Sequence, residues 1–155
     1  MKKTAVFIML SVMLVFCLAG CGGREKYAGK WEAKEMKVNN STITDIANIP
    51  LNVIMRFELN SSGSAKWASP LESVKDPSKD GITASWKIKD GKIIMTVNYK
   101  DDKKTIEFTD IDGKLAVEQG ASILYLEKVD EFSPVDTQAL QNLFSNFDIS
   151  SIMGG

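Results

Sequence analysis

The sequence predicts an all-β fold: an antiparallel up-and-down barrel of about eight strands, followed by a C-terminal helix. Three observations predict it. Between Lys30 and Val129, apolar residues recur at every second position in short runs, the period of a half-buried strand. Turn-forming residues such as Asn60-Ser61-Ser62-Gly63, Asp90-Gly91 and Asp112-Gly113 separate those runs. They leave no place for long helical crossovers, so neighbouring strands must run antiparallel. After Ser133 the spacing becomes that of an amphipathic helix. Left open, such a meander presents two sheet edges; closure removes them, which favours a barrel over a sandwich.

Residues 31–38 form a first, rather polar strand. Residues 39–50 read as a polar loop with one helical turn around Asp45 to Asn48, ending at Pro50. Residues 51–59 form a second strand, with Val53, Met55, Phe57 and Leu59 on one face and Arg56 and Glu58 on the other. After the Asn60–Ser64 turn, residues 65–68 make a short third strand. Residues 69–81, SPLESVKDPSKDG, are the longest irregular stretch. Neither flank could bury a core alone, so they do not divide the chain. In residues 82–89, Ile82, Ala84, Trp86 and Ile88 alternate with polar residues, and Asp90-Gly91 is a strong hairpin signal. Ile93, Met95, Val97 and Tyr99 form the next apolar face, with Ile94 turned outward. Residues 105–108, 115–118 and 123–129 complete the set. Ser133-Pro134-Val135-Asp136 then offers a capping hydroxyl, a proline at the first helical position and an acid three residues on. A helix over about 134–147 follows, with Leu140, Leu143, Phe144 and Phe147 as its apolar stripe.

The first twenty residues belong to a different kind of segment. A basic start, Lys2-Lys3, precedes a run of roughly 13–15 apolar residues, short of the ~20 a spanning helix needs, and small residues close it. That is the pattern of a secretory signal. Leu18-Ala19-Gly20-Cys21 resembles the lipobox of bacterial lipoproteins. The resemblance implies cleavage before Cys21, a diacylglycerol on its sulfur, and stable anchoring by several acyl chains. The domains expected are therefore a lipoprotein signal at 1–20, a lipidated tether at 21–26, and a barrel domain with its helix at 27–155.

Removing residues 1–20 leaves 135 of 155, enough for one domain with a real core. It also takes away Cys17, Lys2 and Lys3. With Cys21 acylated, no thiol or disulfide remains, and the formal charge moves from −1 to −3. That balance argues against nucleic acid as a partner. The expected location is the extracytoplasmic face of a bacterial cell membrane. Because Gly22 rather than Asp follows the cysteine, a two-membrane cell would send the protein to its outer membrane.

Gly29-Lys30-Trp31 stands where the first strand begins, and Tyr27, Gly29 and Trp31 fit a Y-x-G-x-W pattern. The mature chain thereby resembles the lipocalin superfamily and, within it, small lipocalin-like lipoproteins of bacteria. The resemblance implies that Trp31 closes one barrel end, with Lys128 as the basic partner from the last strand and Gly29 beside them. Two departures are plain: a lysine stands where arginine is commoner, and no second lipocalin motif, an acidic-arginine pair between strands, is present.

The chemistry open to the chain is narrow. With no histidine, histidine-dependent triads and metal sites are excluded. Asp101-Asp102 and Asp110-x-Asp112 fall where turns are expected and suit aspartates bonding their own backbone. No phosphate cradle and no calcium loop are complete, so no cofactor, no metal and no catalytic residue are expected. What remains is binding. Met55, Phe57, Trp67 and Trp86, with Met95, Tyr99 and Phe108, are candidates to line the interior. An eight-stranded barrel either fills with side chains or holds one small ligand. The sequence therefore points to a non-enzymatic, membrane-anchored lipoprotein that binds a small apolar ligand, such as a lipid. The alternative is a filled barrel that recognises an envelope protein through its loops.

Overall fold

The computed structural model describes residues 22–70, 83–99 and 102–146. Its elements in chain order are helix α1 (Gly22–Tyr27), strands β1 (Gly29–Val38), β2 (Ser41–Ile43), β3 (Asp45–Ile46) and β4 (Ile49–Pro50), and the single turn of helix α2 (Leu51–Ile54). Strands β5 (Arg56–Leu59), β6 (Ser64–Trp67), β7 (Thr83–Lys89), β8 (Lys92–Tyr99), β9 (Asp102–Ile111), β10 (Lys114–Gln119) and β11 (Ser122–Val129) follow, then helix α3 (Thr137–Asn146). Strands β1 and β5 to β11 pair in that order, and β11 pairs back onto β1. The result is a closed eight-stranded antiparallel up-and-down barrel, as the sequence predicts.

Two-residue turns with both residues at positive φ join several strands, at Asn39-Asn40, Asp90-Gly91 and Asp112-Gly113. Their twist matches that of the flanking strands, which is why Asn, Asp and Gly occupy them. β1 is the strand that all the rest depends on. Its first half pairs with β5 and its second half with β2, while β11 runs along its whole other edge. A bulge between Ala33 and Glu35 marks the change, as expected where a strand bends to leave one partner for another.

Three expectations need correction. Residues 45–48 are not a helical turn: β3 pairs with β4 through the turn residues Ala47 and Asn48, both at positive φ. The helical turn comes next, at Leu51–Ile54, where a strand was expected. Leu51 and Val53 are both buried, so the burial alternates through helix and strand alike. One turn is too short to display its 3.6-residue period. The third correction concerns the C-terminal helix, which begins at Thr137 rather than Pro134. Its cap is Asp136, whose Oδ1 accepts the backbone N–H of Gln138 at 3.0 Å and of Ala139 at 2.9 Å. Asp136→Ala should therefore cost about 1 kcal/mol, read as a lowered urea midpoint. Ser133, the expected cap, is engaged elsewhere. Leu140 is buried as predicted, whereas the Leu143 and Phe144 side chains and residue Phe147 lie outside what the structure describes.

Candidate functional site

The barrel has two unlike ends. The first is formed by the start of β1, the β5–β6, β7–β8 and β9–β10 turns and the end of β11, and α1 lies across it. The expected tether is therefore a helix seated on the barrel. Arg24 donates from Nη1 to the Ser62 carbonyl at 3.2 Å and lies 5.9 Å from the Trp86 ring centre. The Tyr27 hydroxyl donates to Asp110 Oδ2 at 2.9 Å, and Lys26 Nζ reaches the same oxygen at 2.5 Å. Hydrogen bonding from Lys26, reinforced by Tyr27 and the Gly113 N–H and opposed by partial burial, holds the Asp110 carboxyl below its usual range. Asp110 Oδ1 also accepts the Gly113 N–H at 2.9 Å. It is a turn aspartate, as read from the sequence, and a latch for α1 as well.

Gly29, Trp31 and Lys128 meet at this end. Trp31 is buried and donates from Nε1 to the Tyr27 carbonyl at 2.8 Å. Lys128 is its register partner across β11. The Lys128 stem passes over Gly29, and its Nζ reaches the Lys26 carbonyl at 3.2 Å, close to the last turn of α1, where a cation is favoured. A Cβ on Gly29 would stand 2.7 Å from Lys128 Cε, and Gly29 has φ +131. Gly29→Ala is therefore expected to cost about 2 kcal/mol through backbone strain, and to loosen α1. Proteolysis at residues 22–28, faster in the variant than in the wild type, would register this.

Inside, the ring of Phe57 on β5 lies 5.2 Å from that of Phe108 on β9, centre to centre. Those strands stand on opposite sides of the barrel, so this contact bridges the lumen. Trp67 stacks on the same Phe57 at 6.1 Å and 23°. Phe57, Met95 and Phe108 are fully buried, and Trp86 and Met55 are buried with them in one cluster. Six of the seven expected lining residues are thus in that cluster or packed against it. Tyr99 ends β8, but its side chain lies outside what the structure describes.

Beyond the Phe57–Phe108 bridge, towards the end opposite α1, burial slackens. Met36, Trp67 and Ile106 are only partly buried, whereas Val97 and Ala84 stay buried. This second end is the less tightly packed one. Lys104 pairs with Val97 in register and so shares its face, placing an exposed cation on the lumen side beyond Val97. Sequence reading missed Lys104 because it began that strand at Thr105. Counting back in twos from Phe108 and Ile106 would have found it.

Two further features lie on the outer wall. Glu32 is fully buried although it points away from the lumen. The segment after β11 covers it, and its carboxylate accepts from the Ser133 N–H at 2.9 Å, the Ser133 hydroxyl at 2.5 Å and Lys34 Nζ at 2.5 Å. Arg56, its register partner on β5, donates to the Ser133 and Ala68 carbonyls and stacks on Phe132 at 5.0 Å. The second feature is a groove of about 290 Å3 between the β4–α2 segment and the start of α3, lined by Pro50, Asn52, Val53, Pro134, Ala139 and Leu140 among others. Asn52 Oδ1 is buried there without a hydrogen-bond partner.

Among the described residues, no helix is long and apolar enough to cross a membrane, and no three His, Cys, Asp or Glu side chains are grouped to hold a metal ion. Cys21 lies outside the described residues. Comparison with protein-family models, with curated proteins and with solved structures gives no match.

Proposed function

We propose that this is a lipid-anchored, extracytoplasmic binding protein of the lipocalin-like kind, which holds a small apolar ligand in the mouth of its barrel and performs no chemistry on it. The lipobox-like Leu18-Ala19-Gly20-Cys21 supports the anchor, and the Y-x-G-x-W pattern together with the closed barrel supports the family resemblance. The observation that carries the binding reading is the gradient of burial along the lumen. Below the Phe57–Phe108 bridge the side chains are packed, while above it Met36, Trp67 and Ile106 keep accessible apolar surface. Apolar walls with a few polar groups are what a small-molecule site requires. Lys104 on the lumen side suits a ligand whose polar end is anionic, such as a fatty acid.

Native mass spectrometry of the protein extracted from its own membrane tests this, since a carrier retains a lipid-sized mass. Trp67→Ala should weaken ligand affinity roughly 30-fold, the loss of about 2 kcal/mol from one aromatic anchor, and so lower the retained ligand mass. Membrane fractionation tests the anchor: Cys21→Ala should release the protein, and unchanged fractionation would refute it. The packed layer around Phe57, Met95 and Phe108 favours a second reading, a filled barrel that recognises an envelope protein through its loops. A wild-type protein that retains no ligand mass, and whose Trp67→Ala variant behaves identically, would establish that reading instead.

A further inference from the structure

We propose that the α1 end of the barrel is a docking face for anionic phospholipid, so that the mouth opens away from the bilayer. The proposal rests on the lipid anchor at Cys21 and goes beyond it, because an anchor alone does not fix orientation. What fixes it is the seat of α1. A diacylglycerol on Cys21 would be attached immediately before Gly22, and one residue spans at most ~3.6 Å. The helix that follows is seated on the barrel by Arg24 to Ser62, by Lys26 and Tyr27 to Asp110, and by Trp31 to the Tyr27 carbonyl. The anchor therefore leaves from one defined end of the barrel.

That end has the surface a membrane would accept. Among the described residues three large hydrophobic side chains are exposed, and two of them, Ile88 at 36% and Ile111 at 38%, lie here. Ile88 sits beside Gly23, where a Cβ would meet its Cδ1 at 3.2 Å. Around it, α1 and the β7–β8 hairpin carry Arg24, Lys26, Lys87, Lys89 and Lys92 against Glu25 and Asp90; Asp110 pairs with Lys26 and Glu107 with Lys92, so the patch keeps a local net charge of +1, carried by the exposed Lys87 and Lys89, in a chain of net −1. Cations above an apolar tip are complementary to anionic headgroups over acyl chains. Trp31 and Tyr27 close the lumen on this side, so nothing enters the barrel from the leaflet beneath. Strands of eight residues, tilted as barrel strands are, put the mouth roughly 20 Å above the surface. The ligand is then taken from the aqueous side or from a partner, not drawn from the anchoring membrane.

The test uses the lipidated full-length protein inserted into preformed vesicles of phosphatidylglycerol and phosphatidylcholine. A fluorophore is attached through Ile111→Cys at the α1 end or Gln119→Cys at the mouth end, with headgroup-nitroxide lipid as quencher. Quenching at position 111 is expected to exceed that at 119 at least fivefold. Lys87→Gln with Lys89→Gln should weaken the quenching at 111, by about fivefold in local lipid affinity per cation, on anionic but not on neutral vesicles. Equal quenching at the two positions, or stronger quenching at 119, overturns the orientation while leaving the anchor intact. Insensitivity to the lysine changes overturns the anionic-lipid assignment. A wild-type chain that never partitions with membranes overturns the anchor reading itself.

Discussion

Glu32→Ala is expected to destabilise the fold by about 3 kcal/mol at neutral pH. The substitution leaves the Ser133 N–H, the Ser133 hydroxyl and the Lys34 ammonium without their shared acceptor at a partly buried site. It also removes the charge facing Arg56, which donates to the carbonyl of the same Ser133. The segment after β11 should lift from the wall, and α3 with it. The pH dependence gives a sharper check. Burial alone would raise the Glu32 pKa, but the hydrogen bonds from Lys34 and Ser133 outweigh it, and the carboxyl titrates below its ordinary 4.5. A folded-state pKa below the unfolded one means stabilisation that is fully present above the unfolded value and disappears as pH falls through the folded one. The gap between wild type and Glu32→Ala, measured as urea midpoints, should therefore be widest at pH 7 and shrink progressively as pH is taken below the ordinary 4.5. A gap that stays constant would show that the carboxylate's charge plays no part.

That carboxylate also shows where sequence reading stops. Trp31, Glu32 and Ala33 follow the alternation of a strand with one wet face, and the period correctly assigns Glu32 to the outer face. Nothing local says that residues 130–133, about a hundred positions later, will cover it. The same limit explains the helix cap. Ser133-Pro134 has the right chemistry for an N-terminus, but a tertiary contact claims Ser133, and the helix starts one acid later on Asp136. The hairpin turns were legible because their requirement is local: two residues at positive φ call for Asn, Asp or Gly, and Asp90-Gly91 and Asp112-Gly113 supply them. Strand order and closure were legible because tight turns allow little else. The α2 turn was hidden because Leu51, Val53 and Met55 alternate in burial whether the backbone is helical or extended. For the candidate site, composition identified Phe57, Trp67 and Phe108 as interior residues. It could not show that two of them meet across the lumen and the third stacks beside them only partly buried, since that division depends on which strands lie opposite each other after closure.

The same division yields the largest expected effect. Phe57→Ala should destabilise the protein by about 4 kcal/mol, the usual cost of deleting a buried aromatic ring and leaving its space unfilled. Phe57 is fully buried between the Trp67 and Phe108 rings, with Trp31 as its register partner on β1. At about 3–4 °C per kcal/mol for a domain of this size, the thermal midpoint should fall by roughly 12–16 °C. Trp67→Ala is the comparison that gives this functional meaning. Trp67 shares the Phe57 stack but is only partly buried, so its truncation should cost less than half as much in stability and more in ligand occupancy. If Phe57 is the floor of the lumen and Trp67 part of the mouth, stability and binding should separate between the two variants. A Trp67→Ala protein as unstable as Phe57→Ala would place both residues in one sealed core, and would leave the barrel without an apolar mouth to offer a ligand.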